Sequence, residues 1–181
     1  MKGFSTDLQG MSNGLIAFAQ RWFRLAPISD NNKNRLCMSP SISQLRKFVS
    51  PEIIFGAGSR HNAGNYAKTF GARKVLVVTD PGVIAAGWVA DIEASLRALD
   101  IEYCLYSDVS PNPRVEEVMR GAELYRENHC DVIIAVGGGS PMDCGKAIGI
   151  VVAHGRSILE FEGVDMIRVP SPPLILIPTT A

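Results

Sequence analysis

From residue 51 onward, apolar runs alternate with amphipathic segments in a regular succession. Short runs rich in β-branched residues, of which 132–136 is the clearest, predict strands buried on both faces. Between them, apolar residues recur three and four positions apart, the spacing of helices that bury one face. Such alternation is typical of βαβ crossovers. The pattern therefore predicts an α/β domain, a parallel sheet with helices on both faces.

The individual elements follow from the same pattern. The strands are predicted at 53–55, 74–79, 101–106, 132–136 and 174–177, and a short helical turn near 157–161. The first helix is predicted at about 59–70, with Gly71 as the glycine just beyond its end. One helix is predicted to start at Pro81 and to keep six apolar residues on one face: Val83, Ile84, Trp88, Ile92, Leu96 and Leu99. The helix after Pro113 carries apolar residues from Val115 to Tyr125.

The turn after strand 132–136 contains three glycines, Gly137, Gly138 and Gly139. Ser140 is predicted as the N-cap of the following helix and Pro141 as its first residue. Without Cβ atoms the backbone can be approached closely, and amides at a helix start suit a phosphate or diphosphate. The alternative is a tight turn that binds nothing.

Two common phosphate-binding loops do not match this turn. Before Gly145-Lys146, Ser140 stands where a P-loop needs its first glycine, and Ala147 stands where the magnesium-binding hydroxyl belongs. Met142 occupies the third glycine position of the usual Gly-x-Gly-x-x-Gly pattern, and the best strand-end acid, Asp80, lies upstream instead of downstream. A different dinucleotide arrangement is predicted.

Polar groups follow the predicted strands at their carboxyl ends, where parallel sheets bind ligands. They are Asp80, Asn112, Gly138 to Ser140, Thr179 and Thr180. An acid there can accept both ribose hydroxyls of a nucleotide and would repel a 2′-phosphate, so Asp80 favours NAD over NADP. Asp80 before Pro81 is equally compatible with an N-cap.

Charge is unevenly distributed over the 181 residues, although the net charge is zero. Residues 1–50 hold seven Lys and Arg against two Asp, a balance of +5, so residues 51–181 carry −5. An acidic domain argues against nucleic-acid binding. No run of eighteen apolar residues is present, which argues against a membrane span.

The four cysteines, Cys37, Cys104, Cys130 and Cys144, show no disulfide or metal-binding spacing. Cys104 and Cys144 fall inside apolar elements and are interpreted as reduced core thiols of a cytoplasmic protein. The three histidines, His61, His129 and His154, lie far apart on separate predicted helices. No metal site is assigned to them, and solvated or helix-capping roles are expected.

Residues 1–49 are interpreted as an N-terminal arm or linker before the domain at 50–181. Residues 15–25 are compatible with one short helix, and residues 27–47 with a loop. This region contains arginines and few acidic residues, a composition that resembles a transit peptide. An arm that packs on the domain or on a partner is favoured.

Gly137-Gly-Gly-Ser-Pro-Met-Asp-Cys-Gly-Lys146 resembles the Gly-Gly-Gly-Ser-x-x-Asp-x-x-Lys signature of the iron-containing (group III) alcohol dehydrogenases. Three further stretches agree in order and spacing: Val78-Thr-Asp-Pro-Gly82, Pro111-Asn-Pro113 and Ile177-Pro-Thr-Thr-Ala181. Phe55-Gly-Ala-Gly58 also resembles the beginning of that family's domain. The resemblance runs from about Ser50 to the last residue.

This resemblance implies a Rossmann-like domain that binds NAD. Asp80 matches the family's acid at the adenosine ribose, Asn112 lies towards the adenosine, and Asp143 belongs to the nicotinamide side. The implied cofactor-binding residues are Asp80, Asn112, Gly137, Gly138, Gly139, Ser140, Asp143, Thr179 and Thr180. From spacing alone, Asp143 and Lys146 are equally compatible with a surface ion pair.

Members of this family have a second, helical domain that supplies one aspartate and three histidines to a divalent metal, iron or zinc. The metal polarises the alcohol oxygen while a hydride passes to the nicotinamide. The chain ends at Ala181, before such a domain, so it is expected to be truncated and inactive alone, with no catalytic or metal-binding residue assigned. The full-length enzyme would act on a small alcohol or aldehyde and could form a homo-oligomer.

Two other interpretations remain open: a non-catalytic NAD-binding or assembly module, and a remnant that binds nothing. A related group, the glycerol dehydrogenases and dehydroquinate synthases, shares the glycine turn. The Pro-Asn-Pro and Pro-Thr-Thr-Ala stretches favour the iron-containing branch.

Overall fold

The computed structural model describes residues 15–19, 51–163 and 166–179. Its centre is a four-stranded parallel sheet in the order β4-β3-β5-β6. A separate antiparallel pair, β1 and β2, precedes it. The strands are β1 Leu15–Ala19, β2 Glu52–Phe55, β3 Lys74–Val78, β4 Glu102–Tyr106, β5 Val132–Gly137 and β6 Leu174–Pro178.

Helices occupy the connections between the strands. They are α1 Ala63–Thr69, α2 Pro81–Ala85, α3 Trp88–Arg97, α4 Val115–Glu127 and α5 Gly139–His154. Among the described residues there are also two 3-10 helices, Ser59–Asn62 and Ile158–Phe161. Within the part of the chain described, no helix is long and apolar enough to cross a bilayer.

Strand order determines which face each helix covers. The chain moves from β3 to β4 in one direction, and from β4 through β5 to β6 in the other. Since βαβ crossovers are right-handed, α2 and α3 lie on one face and α4 and α5 on the other. The packing agrees, because α4 contacts α5 and α1 contacts α3. The predicted parallel sheet with helices on both faces is confirmed.

The two central strands form the core. Residues 75–79, which lie in β3 and directly after it, are fully buried, and every residue of β5 is buried. Both sequences are almost continuously apolar because each face of the sheet is covered. Gly145 allows α5 to approach β5 closely, since a Cβ there would lie 2.8 Å from the Cβ of Ala135. The middle of α5 therefore packs directly on β5.

Several predicted boundaries are confirmed. The first helix, α1, ends at Thr69 with Phe70 as its C-cap, and Gly71 follows with a φ of 78°, as a glycine beyond a helix end should. Pro81 is the first residue of α2, with Asp80 as its N-cap. The helical turn predicted near 157–161 is the 3-10 helix Ile158–Phe161.

The single long helix predicted after Pro81 is wrong. The chain forms α2 and α3, separated at Gly87, which adopts a left-handed conformation with a φ of 81°. Such a residue ends one helix and redirects the chain into the next. Ile84 consequently does not share the buried face with Val83 and is 38% exposed.

The helix predicted at 15–25 is also wrong for residues 15–19, the part of that range that the structure describes. Residues 15–19 form β1, which pairs antiparallel with β2, and residues 20–25 lie outside the described part of the chain. A short isolated helix is unfavourable to nucleate, whereas the edge of β2 offers backbone partners. Pairing with a distant strand therefore overrides the local helical pattern.

Candidate functional site

The carboxyl ends of β3 and β5 lie side by side where the strand order reverses. From β3 the chain turns towards β4, and from β5 it turns towards β6. The two connections therefore diverge and leave a crevice, which is where open α/β sheets bind ligands. Asp80 follows β3, and the turn 137–140 follows β5. Two of the predicted site groups are thus neighbours across this crevice.

Gly137 shows how closely the two sides approach. A Cβ at this residue would lie 2.6 Å from Cγ of Pro141 and 3.3 Å from Oδ2 of Asp80. Its φ of 148° is also one that side-chain-bearing residues rarely adopt. Both the conformation and the space therefore require glycine at this position.

The helix α5 begins differently from the prediction. Its N-cap is Gly138 in an extended conformation, and Gly139 is its first residue, so the prediction of Ser140 as N-cap is wrong by two positions. Glycine offers no side-chain acceptor to the first amides. A Cβ at Gly139 would meet no heavy atom within 4 Å, so the backbone here borders open space. An anion can therefore approach the positive end of a sixteen-residue helix.

Ser140 instead connects the first turn of α5 to a neighbouring loop. Its Oγ accepts a hydrogen bond of 3.3 Å from the backbone N–H of Asn112, in the loop between β4 and α4. Asn112 has a φ of 57°, a left-handed conformation that asparagine tolerates better than most residues. The predicted residues Asn112 and Ser140 are therefore brought together, and Asn112 is exposed.

Asp80 serves as a helix cap with only one of its oxygens. Oδ1 accepts a hydrogen bond of 3.0 Å from the N–H of Val83. Oδ2 lies on the Gly137 side and has no hydrogen-bond partner among the described residues. The capping role proposed as an alternative is thus real, and it leaves the second oxygen available to a ligand.

Thr179 lies beside the glycine turn. Its N–H donates a hydrogen bond of 2.9 Å to the carbonyl of Gly137, which extends the pairing of β5 with β6. Thr180, predicted with it, lies outside the described residues. Thr79, which precedes Asp80, was not predicted. Its hydroxyl is fully buried without a hydrogen-bond partner in the described structure, a condition that costs stability unless something satisfies it.

Asp143 and Lys146 form the surface ion pair that spacing alone allowed. Lys146 Nζ lies 3.0 Å from Oδ1 of Asp143, and both side chains are at least half exposed. Lys146 also lines a cavity of about 210 Å³ with Ile150 and the loop 167–174. That cavity lies beside α5, away from the crevice, so Lys146 is not part of the crevice wall.

Glu117 supports the site from outside and was missed. Its Oε2 accepts hydrogen bonds from the N–H groups of Arg114, at 3.1 Å, and Ser110, at 3.4 Å. These contacts hold the loop that carries Asn112. The side chain is buried, and hydrogen bonding from Ser110, followed by that from Arg114, lowers the pKa of Glu117. Glutamate at the third position of a helix was the available sequence signal.

Acid is expected to weaken this support. Because the pKa of Glu117 is lowered in the folded protein, its stabilisation is present above the unfolded value of about 4.3. It is lost as the pH falls through the folded pKa. We expect the free energy of unfolding, measured with urea, to fall between pH 7 and about pH 3 in both proteins. The fall should be on the order of 1 kcal/mol larger in wild type than in Glu117→Gln.

The exposed neighbour Glu116 provides the matched control, since Glu116→Gln should follow the wild-type pH dependence. A wild-type advantage over Glu117→Gln that is equal at both pH values would contradict a charged, hydrogen-bonded role for Glu117.

The histidines have no common centre. His154 is held by its own neighbours: Nδ1 lies 2.9 Å from the carbonyl of Ile150, and Nε2 accepts the N–H groups of Arg168 and Val169 at 3.3 and 3.2 Å. No group of three or more His, Cys, Asp and Glu side chains in the described ranges could hold a metal ion. A divalent metal therefore does not fit these residues.

Comparison with known proteins supplies an independent finding. A sequence model of the iron-containing alcohol dehydrogenases matches residues 50–181. Choline dehydrogenase of Bacillus subtilis is 40% identical over 145 residues, which cover 78% of this chain and 36% of that protein. The chain thus spans about a third of the length of such relatives.

Solved structures agree with the sequence match. A crystal structure of 1,3-propanediol oxidoreductase superposes with a TM-score of 0.64 at 36% identity, covering 66% of this chain and 31% of that one. Sulfoacetaldehyde reductase from Bifidobacterium kashiwanohense, solved in complex with NAD+, gives a TM-score of 0.57 at 30% identity. It covers 66% of this chain and 31% of its own.

Proposed function

The chain belongs to the iron-containing alcohol dehydrogenase family, and on that premise we propose that residues 50–181 form the NAD-binding part of an alcohol dehydrogenase. One observation carries the proposal. At the point where the strand order reverses, an uncapped helix start borders open space, and a free carboxylate oxygen faces it across Gly137. A diphosphate suits the first feature and a ribose the second.

Each predicted residue has a role in this proposal. The amides of Gly138, Gly139 and Ser140 bind the diphosphate, and the positive end of α5 stabilises its charge. Oδ2 of Asp80 accepts the hydroxyls of the adenosine ribose, while Oδ1 keeps its hydrogen bond to α2. Asn112 borders the adenosine, positioned by Ser140.

The nicotinamide end is assigned to the other side of the turn. Thr179 and Thr180 supply hydroxyls to the diphosphate or the second ribose, and Asp143 borders the nicotinamide. The position of Thr179, hydrogen-bonded to the carbonyl of Gly137, supports this assignment. When bound, NAD supplies the ring that accepts a hydride from the alcohol. These residues of the protein bind and orient the cofactor.

The test is calorimetric titration of the 181-residue chain with NAD and with NADP, followed by an assay for NAD reduction. We expect saturable binding of NAD, weaker binding of NADP, and no NADH formation from small alcohols with added iron or zinc. Absence of NAD binding would support a remnant that binds nothing. Rapid alcohol-dependent NADH formation would show that these residues contain a complete catalytic centre.

Three further properties are proposed for the full-length protein. The names of its relatives, dehydrogenases or reductases for choline, 1,3-propanediol and sulfoacetaldehyde, support a small alcohol or aldehyde as substrate. Exposed Ile53 and Phe55 on β2 support contacts between subunits of a homo-oligomer. The free thiols of Cys104, Cys130 and Cys144 support a cytoplasmic location.

A further inference from the structure

Two cysteines that are 26 positions apart in sequence meet in the fold. Cys104 lies in β4, and Cys130 lies in the turn between α4 and β5. Their Sγ atoms are 3.3 Å apart. The sequence contains no disulfide or metal-binding spacing that relates them. They meet because β4, which contains Cys104, and β5, which follows Cys130, both pair with β3.

We propose that Cys104 and Cys130 form a redox-active dithiol that a hydroperoxide oxidises reversibly to an intramolecular disulfide. The site lies towards the amino ends of the strands, so it is separate from the crevice at their carboxyl ends. The proposal does not depend on NAD binding.

The backbone already holds both residues in place for this bond. Cys104 is in register with Leu76 of β3. The N–H of Cys130 donates to the carbonyl of Tyr125 at 3.0 Å, and the next N–H, of Asp131, donates to Lys74 of β3 at 2.9 Å. Both cysteines are therefore anchored beside the same strand. A disulfide requires the sulfurs to approach from 3.3 Å to about 2.05 Å.

The surroundings distinguish the two thiols. A hydrogen bond from Cys130, followed by the positive charge of Lys74, lowers the pKa of Cys104. Cys104 is also partly exposed, whereas Cys130 is buried. The shared hydrogen bond and burial raise the pKa of Cys130. Since the thiolate is the reactive form, Cys104 is the nucleophile and Cys130 is the resolving thiol.

The reaction balances with a hydroperoxide as the oxidant. The Cys104 thiolate attacks one peroxide oxygen, the O–O bond breaks, and hydroxide leaves, which produces a sulfenic acid on Cys104. The Cys130 sulfur then attacks the Cys104 sulfur, its proton passes to the departing hydroxyl, and water leaves. The proton that Cys104 lost on forming its thiolate neutralises the hydroxide. Two electrons therefore pass from the two thiols to hydrogen peroxide, which becomes two water molecules.

Cys144 provides the internal control. It is fully buried in α5, and burial raises the pKa of its thiol to about 12. A thiol that stays protonated and inaccessible does not react with peroxide at neutral pH. If peroxide concentration alone determined oxidation, Cys144 and Cys104 would be oxidised at the same rate.

The experiment uses the 181-residue chain with Cys37→Ser, because Cys37 lies outside the described residues and could pair independently. The protein is treated with hydrogen peroxide, denatured, alkylated with a maleimide, digested and analysed by mass spectrometry. We expect one linked pair of peptides containing Cys104 and Cys130, lighter by two hydrogen atoms and restored by dithiothreitol. Cys144 should be alkylated completely.

A second variant tests the order of events without requiring the disulfide. In Cys130→Ser, peroxide should leave a sulfenic acid on Cys104 that dimedone traps. Full alkylation of both Cys104 and Cys130 after peroxide treatment of the Cys37→Ser protein would overturn the proposal. So would oxidation of Cys144 at the same rate as Cys104. If Cys130→Ser fails to fold, the peptide map of the Cys37→Ser protein decides alone.

Discussion

Replacing Gly137 by alanine is expected to lower the free energy of unfolding by about 2–3 kcal/mol and to abolish measurable NAD binding. The added Cβ would lie 2.6 Å from a ring carbon of Pro141, and the φ of 148° is strained for alanine. Relief of that contact requires the start of α5 to move away from β5. The amides that are proposed to bind the diphosphate move with it.

Gly139→Ala is the matched comparison, because it adds the same methyl group two residues later. No heavy atom lies within 4 Å of its Cβ, so stability should stay within about 0.5 kcal/mol of wild type. NAD affinity should still fall, by roughly tenfold, because the methyl group enters the space in which the diphosphate is proposed to bind.

Urea unfolding and calorimetric titration together separate the two effects. Loss of stability in Gly137→Ala with unchanged NAD affinity would mean that the turn has a structural role only. Unchanged NAD affinity in Gly139→Ala would place the diphosphate elsewhere.

Replacing Asp80 by asparagine is expected to raise the affinity for NADP relative to NAD by at least about tenfold. A 2′-phosphate next to the Asp80 carboxylate meets a like charge, and the amide removes it. The amide oxygen can still accept the hydrogen bond from Val83 that caps α2. The folded structure and the turn are therefore preserved while the charge is lost.

Asp80→Ala controls for the cap. It removes the charge and the acceptor together, so it should lose about 1 kcal/mol of stability that Asp80→Asn retains. Both variants should show the same shift towards NADP in titrations at constant salt. An unchanged ratio of NAD to NADP affinity in Asp80→Asn would reject the ribose-binding role of Asp80.

Local sequence features predicted where Asp80 and the three glycines lie, and their roles in binding a cofactor stay a prediction. Asp80 and the three glycines were predicted because strand ends and helix starts are local features, and parallel topology places them at one edge. The hydrogen bond between Ser140 in α5 and Asn112 was not predicted, because it joins residues 28 positions apart. Glu117 carried the local signal of a glutamate at the third helical position and was overlooked, whereas the burial of Thr79 depends on the strands on both sides of β3.

The sequence by itself determined the alternation of strands and helices, the parallel sheet and the glycine turn after β5. These follow from the period of apolar residues and from the backbone freedom of glycine, which are properties of short segments. Only the tertiary structure decided that residues 15–19 form a strand and that Cys104 meets Cys130. Those outcomes depend on strand order and register, which place residues together whatever their separation along the chain.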